Sequence, residues 1–284
     1  MAELLGVGIA TLDLIYEVDH HPAEDEELRA LAFHRRRGGN VTNTLVVLAQ
    51  LGHGCHWAGL LPQEPDAEVV QADLEGHGIA LDWVQRPHRG KLPLSTILLG
   101  RTTGSRTIVH YRDLPEYPFE AFDTIDLNAF DWLHFEGRPG DELAPMVHKA
   151  ARLGRPFSLE IEKPRPGIEA LLPLPTIRLF SRAYAQSQGY EAPEPFLEGL
   201  PPGESYLAWG AAGGWCRDAE GGLHHRPAPP VTAVDTIGAG DTFNAGVLHG
   251  RLTGRPPAEA LDLAVRLAAA KCARHGFDGL GELR

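Results

Sequence analysis

Asp235-Thr236-Ile237-Gly238-Ala239-Gly240-Asp241-Thr242-Phe243-Asn244 sets a glycine-spaced turn and a carboxylate at the head of a helix patterned for burial. The first amides of a helix lack partners within it and lie at the positive end of its dipole, so they can hold an anion that develops during a reaction. Gly238, Ala239 and Gly240 leave little side-chain bulk between that backbone and a phosphoryl group. Asp241 follows directly and can act as general base on the hydroxyl that attacks it. The competing reading is an N-terminal cap, a role Asp often fills ahead of apolar helices. A bare G-x-G-D would admit that reading; a ten-residue string with two aspartates is far more specific.

A second glycine motif lies upstream at Gly38-Gly39-Asn40-Val41-Thr42-Asn43-Thr44, followed by an apolar run and a Leu51-Gly52 pair that reads as a helix C-terminus. Asn40 and Asn43 stand three apart at the helix start, so both amides project to one side and suit vicinal hydroxyls. Capping uses one Asn at most, which leaves the other for a ligand. Asp13 follows an apolar strand over residues 4–10 and so falls at a strand's C-terminal edge, where open parallel sheets bind ligands.

These two motifs resemble the N- and C-terminal signatures of the ribokinase-like (PfkB) carbohydrate kinases. The resemblance implies Asp241 as catalytic base, the turn at Gly238, Ala239 and Gly240 as anion hole, and Gly39, Asn40 and Asn43 with Asp13 as sugar-binding residues. Two other phosphate-binding patterns are excluded. Gly6-x-Gly8 lacks the third glycine of a dinucleotide fingerprint, because position 11 is Thr11, and no G-x-x-x-x-G-K-[ST] string occurs.

Composition agrees with one globular enzyme: 284 residues, 43% hydrophobic, with no transmembrane run. The start carries no basic segment followed by a long apolar one, and Cys55, Cys216 and Cys272 are an odd set, so a reduced cytoplasm is expected. A formal charge of -12 argues against a nucleic-acid surface. Arg35-Arg36-Arg37 is a local basic run, read as a solvated edge.

Short apolar runs at residues 4–10, 55–60, 131–135, 157–161, 176–180 and 205–209 alternate with helical patterns at 39–51, 65–78, 140–153, 239–252 and 257–275. Such alternation predicts an α/β fold, a mostly parallel sheet with helices on both faces. Residues 11–37 and 92–113 break it: they are rich in strand formers, and residues 95–99 with 106–111 read as a hairpin turning at Thr103-Gly104. These two segments are expected to form a small β lid on a core of 1–10, 38–91 and 114–284, within one kinase domain spanning 1–284. In the family a lid of this kind closes on the sugar.

Four further strings resemble the ketohexokinase branch of the family: Gly104-Ser105-Arg106-Thr107-Ile108, His134-Phe135-Glu136-Gly137-Arg138, Glu160-Ile161-Glu162-Lys163-Pro164-Arg165 and Gly276-Phe277-Asp278-Gly279. Arg106 and Arg138 become candidates for contacts to sugar hydroxyls or to the transferred phosphoryl; for Arg106 an ordinary surface arginine stays open. Glu160 and Glu162 share a strand face and are assigned to the water shell of Mg²⁺, the alternative being an ion pair with Lys163 or Arg165. Many family members carry an N-x-x-E motif where this chain has Ser181-Arg182-Ala183-Tyr184, so Arg182 is expected at the ATP phosphates. Gly210, Ala211 and Gly213 follow a strand with small residues suited to adenine and ribose, with Thr236 and Cys272 placed beside them; a buried small residue explains Cys272 equally well. Asp25 resembles a lid acid that reaches a neighbour's sugar, which implies a homodimer through the lid strands. The expected reaction is ATP-dependent phosphorylation of a small sugar, fructose to fructose 1-phosphate, with Mg²⁺. K⁺ held by backbone carbonyls near the glycine turn would leave no side-chain trace. Another acceptor (ribose, another ketose, a nucleoside) and a catalytically silent sugar-binding regulator are the alternatives.

Overall fold

The computed structural model describes residues 1–102 and 105–282. It opens with β1 (Glu3–Val7), β2 (Thr11–Val18), β3 (Ala32–Gly38), α1 (Asn40–Gln50), β4 (Gly54–Ala58), α2 (Pro65–Gly76), β5 (Ile79–Ala80), β6 (Leu94–Gly100) and β7 (Arg106–Tyr111). Next come α3 (Phe119–Asp123), β8 (Trp132–Glu136), α4 (Gly140–Arg152), β9 (Phe157–Ile161), β10 (Ile177–Ser181), α5 (Arg182–Ser187) and α6 (Pro193–Glu198). The chain closes with β11 (Glu204–Ala208), β12 (Gly214–Arg217), β13 (Leu223–Arg226), α7 (Ala239–Leu252) and α8 (Pro257–Cys272).

Nine strands form one sheet in the order β13-β12-β11-β10-β9-β8-β1-β4-β5, parallel throughout except for β12 and β13 at one edge. Strands buried on both faces read as continuous apolar runs, and β8 and β9 are buried along their whole length. One hydrophobic cluster joins α1, α2, α7 and α8 to one face of the sheet; a second joins α3 to α6 to the other. Helices α7 and α8 approach closely because Gly246 and Gly250 face Ala264 and Ala260, where a Cβ would collide with the α8 backbone.

The interrupted segments form a separate four-stranded sheet, β3-β2-β6-β7. Its β6 and β7 pair antiparallel from Leu94↔Tyr111 to Leu99↔Arg106, and the turn read at Thr103-Gly104 lies outside the described residues. Strand β7 is an unpaired edge with all six residues exposed.

Candidate active site

The connections from β1 lead to β4 and β5 on one side, and β8 to β11 fill the other, so strand order reverses between β1 and β8. Open α/β sheets bind ligands beyond the strand C-termini at such a reversal. A cleft of about 460 Å³ opens there, bounded by the ends of β8 to β11, the residue 238–241 turn, and Arg106 and Ile108 from the small sheet.

Five carboxylates line it: Asp13 in β2, Glu136 ending β8, Glu160 in β9, Glu162 just beyond, and Asp241 in the first turn of α7. Burial pushes Asp241 up to about 8; its hydrogen bond from Asn43 opposes this, Glu162 and Glu136 add to it, and Arg37 opposes it. Burial also holds Glu160 well above the usual carboxylate range, helped by Asp241, Glu136 and Glu162, and holds Glu136 above its ordinary value. Glu160 Oε1 accepts from Asn40 Nδ2 and Asn244 Nδ2, both at 3.1 Å, while its Oε2 is buried without a partner. Among the described residues no group of three His, Cys, Asp or Glu side chains converges closely enough to ligate a metal directly. An Mg²⁺ ion reached through waters fits what is present: Glu160 and Glu162 meet at one amide, and one buried oxygen is left over. The ion-pair alternative is also partly realised, since Lys163 Nζ lies 3.4 Å from Glu162.

The glycine turn is built as a cradle. Gly238 has φ 76°, and a Cβ there would strike the Phe277 ring; a Cβ on Gly240 would meet open space. Asp235 shapes the approach by accepting from Ile237 N–H at 2.9 Å and from Arg36 at 3.1 Å. Burial raises Asp235, but Lys271 and the Ile237 and Gly276 N–H groups outweigh it and hold the carboxyl below its usual range. The fully buried Lys271 ammonium also donates to the Asp235 carbonyl at 2.9 Å. Ala239 N–H donates to Thr236 at 3.3 Å; among the described residues nothing accepts from the N–H of Gly238, Gly240 or Asp241. An acid and free helix-terminal donors therefore face one cleft, an arrangement able to deprotonate a hydroxyl and stabilise an adjoining anion.

The two asparagines take carboxylate partners that the sequence did not reveal. Neither caps α1, whose N-cap is Gly39 at φ 107°, where a Cβ would run into the Ile9 carbonyl. Both line the cleft and both meet carboxylates: Asn40 donates to Glu160 and Glu162, and Asn43 donates to Asp241 Oδ2 at 2.7 Å, bonds that use neither the Asn40 carbonyl oxygen nor the second Nδ2 hydrogen of Asn43. The reading of Arg35 to Arg37 as a solvated edge also needs correction. Arg35 is exposed and Arg36 half-buried, but Arg37 is buried where β3 runs into α1, and it donates to Asn43 Oδ1 and to Asp73, each at 2.5 Å.

Other candidates divide between the cleft and its surroundings. Asp13 lines the cleft; burial raises its carboxyl against hydrogen bonds from Thr11 and Ser95. Arg106 reaches Thr236 Oγ1 at 3.0 Å, and both line the cleft. Arg138 lines it too, but its guanidinium is engaged by Glu116 at 3.1 Å and Glu136 at 3.4 Å. Arg182 lines the cleft with its guanidinium 5.5 Å from the Trp209 ring. The structure does not bring Gly210, Ala211, Gly213 or Cys272 into the cleft wall: the first two lie in a 3₁₀ turn at Gly210–Ala212, and the Cys272 carbonyl accepts from Val234 at 2.7 Å. Asp25, at φ 62°, lies in the exposed loop after β2, away from the cleft.

Sequence reasoning passed over Glu136, Arg37 and Asn244. Glu136 carried a signal, a charge closing a buried apolar run; Arg37 and Asn244 carried none apart from their neighbourhood to the motifs.

The family model described as pfkB family carbohydrate kinase matches residues 1–180 and 207–279. The chain is 34% identical to ketohexokinase of Mus musculus over 98% of each chain, and 24% identical to ribokinase of Bacillus subtilis (strain 168) over 98% of this chain and 96% of that one. Its fold resembles that of Arabidopsis thaliana ribokinase complexed with ribose and ATP, with a TM-score of 0.80 and 20% identity over 97% of this chain and 94% of that one.

Proposed function

This chain belongs to the pfkB family of carbohydrate kinases; we propose that it transfers the γ-phosphoryl of ATP to a primary hydroxyl of a small sugar, turning fructose into fructose 1-phosphate. The observation that carries this reading is the Asp241 carboxyl beside the free N–H groups of Gly238 and Gly240. Asp241 takes the hydroxyl proton, the oxygen forms its bond to γ-phosphorus, and the bond to the ADP oxygen breaks. The N–H groups hold charge on the moving phosphoryl, and Ala239, with its own N–H turned to Thr236, keeps the cradle in shape. A base with its pKa near 8 is matched to proton uptake close to neutral pH.

Asp13, with Gly39 bringing the backbone close, orients the sugar hydroxyls, while Asn40 and Asn43 act chiefly by holding the carboxylates. Arg106 and Arg138 border the acceptor, and Arg182 with Thr236 faces the nucleotide phosphates. Gly210, Ala211, Gly213 and Cys272 would flank the adenine from outside the cleft wall. Mg²⁺, held through water by Glu160 and Glu162, would neutralise charge on the nucleotide oxygens. K⁺ would need backbone carbonyls by the turn, and that of Asp235 is already engaged by Lys271, so no step is assigned to it.

The small sheet acts as the lid of a single kinase domain. The bare β7 edge, with Ile108, Val109 and Tyr111 exposed, suits a homodimer in which Asp25 reaches the partner's sugar. Three free cysteines accord with a cytoplasmic setting, and among the described residues no helix is long and apolar enough to cross a membrane.

Ketohexokinase similarity favours fructose, and the ribokinase similarities keep ribose, another ketose or a nucleoside as the second reading. ADP release measured with fructose, ribose, other ketoses and inosine decides between them. Fructose at the highest kcat/KM supports the proposal, a pentose or nucleoside replaces it, and no ADP release with any of them supports a silent regulator.

A further inference from the structure

Arg37 is the point where four elements meet. It leaves β3 of the small sheet, donates through Nε to Asp73 of α2, donates through Nη1 to Asn43 of α1, and through Asn43 reaches Asp241 of α7. Its side chain is 2% exposed and stacks over Phe277 at 5.5 Å. A guanidinium has only donors, so the edge of Asn43 that faces it must be the carbonyl oxygen. The amide of Asn43 then has one direction left for its Nδ2, toward Asp241, 2.7 Å away. Without Arg37 the Asn43 amide could turn over and present its oxygen to a carboxylate oxygen, a repulsive pairing that would release Asp241.

We infer that Arg37 is a positioning residue for phosphoryl transfer: anchored by Asp73, it fixes the orientation of the Asn43 amide, which pins Asp241 Oδ2 and leaves Oδ1 to take the proton of the acceptor hydroxyl. This rests on the reading of Asp241 as base. It also gives the small sheet a part in the chemistry, because the strand that carries Arg37 pairs with β2 at Leu12↔Arg37. The alternative is that Arg37 serves only as a counter-ion for Asp73.

A double-mutant cycle on the whole protein separates the two. Steady-state turnover of the best sugar in the panel is measured for Arg37→Met, Asn43→Ala and the pair. If Arg37 acts through Asn43, Arg37→Met lowers kcat by about thirtyfold with sugar KM changed less than about threefold, and the double variant is no more than about twofold slower than Asn43→Ala. Effects that multiply, or an Arg37→Met enzyme with wild-type kcat, overturn the inference. ATP titration and melting temperature report folding; if Arg37→Met does not fold, Arg37→Lys takes its place in the cycle under the same criteria, its single ammonium being unable to serve both Asp73 and Asn43. Asp241→Asn run alongside tells the two failures apart. A silent Asp241→Asn with multiplying Arg37 and Asn43 effects removes only this inference, whereas an active Asp241→Asn removes the base reading beneath it.

Discussion

Strand β9 has all five residues buried and β7 has all six exposed, although both carry apolar side chains in quantity. Strand β9 lies mid-sheet between β8 and β10 and ends in the acid cluster, where a dry setting keeps Glu160 and Asp241 from ionising easily. Strand β7 is the last strand of a four-stranded sheet; Arg106 and Ile108 border the cleft, and Val109 and Tyr111 are left to solvent or to a partner. One region thus holds its acids in a dry enclosure, and the other offers an exposed edge. Substitutions in the first should move catalysis and stability together; substitutions in the second should move assembly and leave stability alone.

The sharpest way to break that contrast is at its buried pole. Asp241→Asn is expected to lower kcat by about 10³-fold or more while ATP binding, followed by calorimetry, stays within about threefold. Turnover near wild type would mean the enclosure serves no proton transfer. Next in size is Gly39→Ala, which must place a Cβ against the Ile9 carbonyl at φ 107°; a loss of about 2–4 kcal/mol in denaturant unfolding is expected. A smaller effect tests the electrostatic side. Because folding raises Asp241 from 3.8 to about 8, its contribution to stability is fully present below pH 3.8 and is lost as pH climbs toward 8. Asp241→Asn should therefore gain stability over wild type between pH 5 and 8, by something on the order of 1–3 kcal/mol at the upper end, read as melting temperature against pH. The smallest change belongs to the exposed pole: Val109→Lys should alter unfolding free energy by less than about 0.5 kcal/mol while shifting any dimer toward monomer in light scattering. A large loss of stability there would erase the distinction between the two sheets.

The fold was legible because its signals are local. Apolar runs bounded by turns marked β8 to β11, and the glycine motifs marked the starts of α1 and α7. The cluster of carboxylates was half legible: Glu160, Glu162 and Asp241 stood out in motifs, but Glu136 joins them only because β8 lies beside β9 in the sheet. Asn43 and Arg37 show the limit most clearly. At sequence level an amide at a helix start is free to bind a ligand and a third consecutive arginine belongs in solvent; packing of β3 against α2 and the start of α1 is what brings Arg37 to Asp73 and Asn43, and Asn43 to Asp241. Long-range partners such as Asp73, on a different helix, leave no periodic trace to read.

In the proposed reaction one carboxyl and the unengaged N–H groups of one turn meet at the transferred phosphoryl. A crystal structure with a non-hydrolysable ATP analogue and the preferred sugar tests it most directly. An acceptor hydroxyl is expected within about 3 Å of Asp241, with a γ-phosphate oxygen at a similar distance from the N–H of Gly238 or Gly240. A triphosphate lying along another wall of the cleft, with those N–H groups facing water, would contradict it.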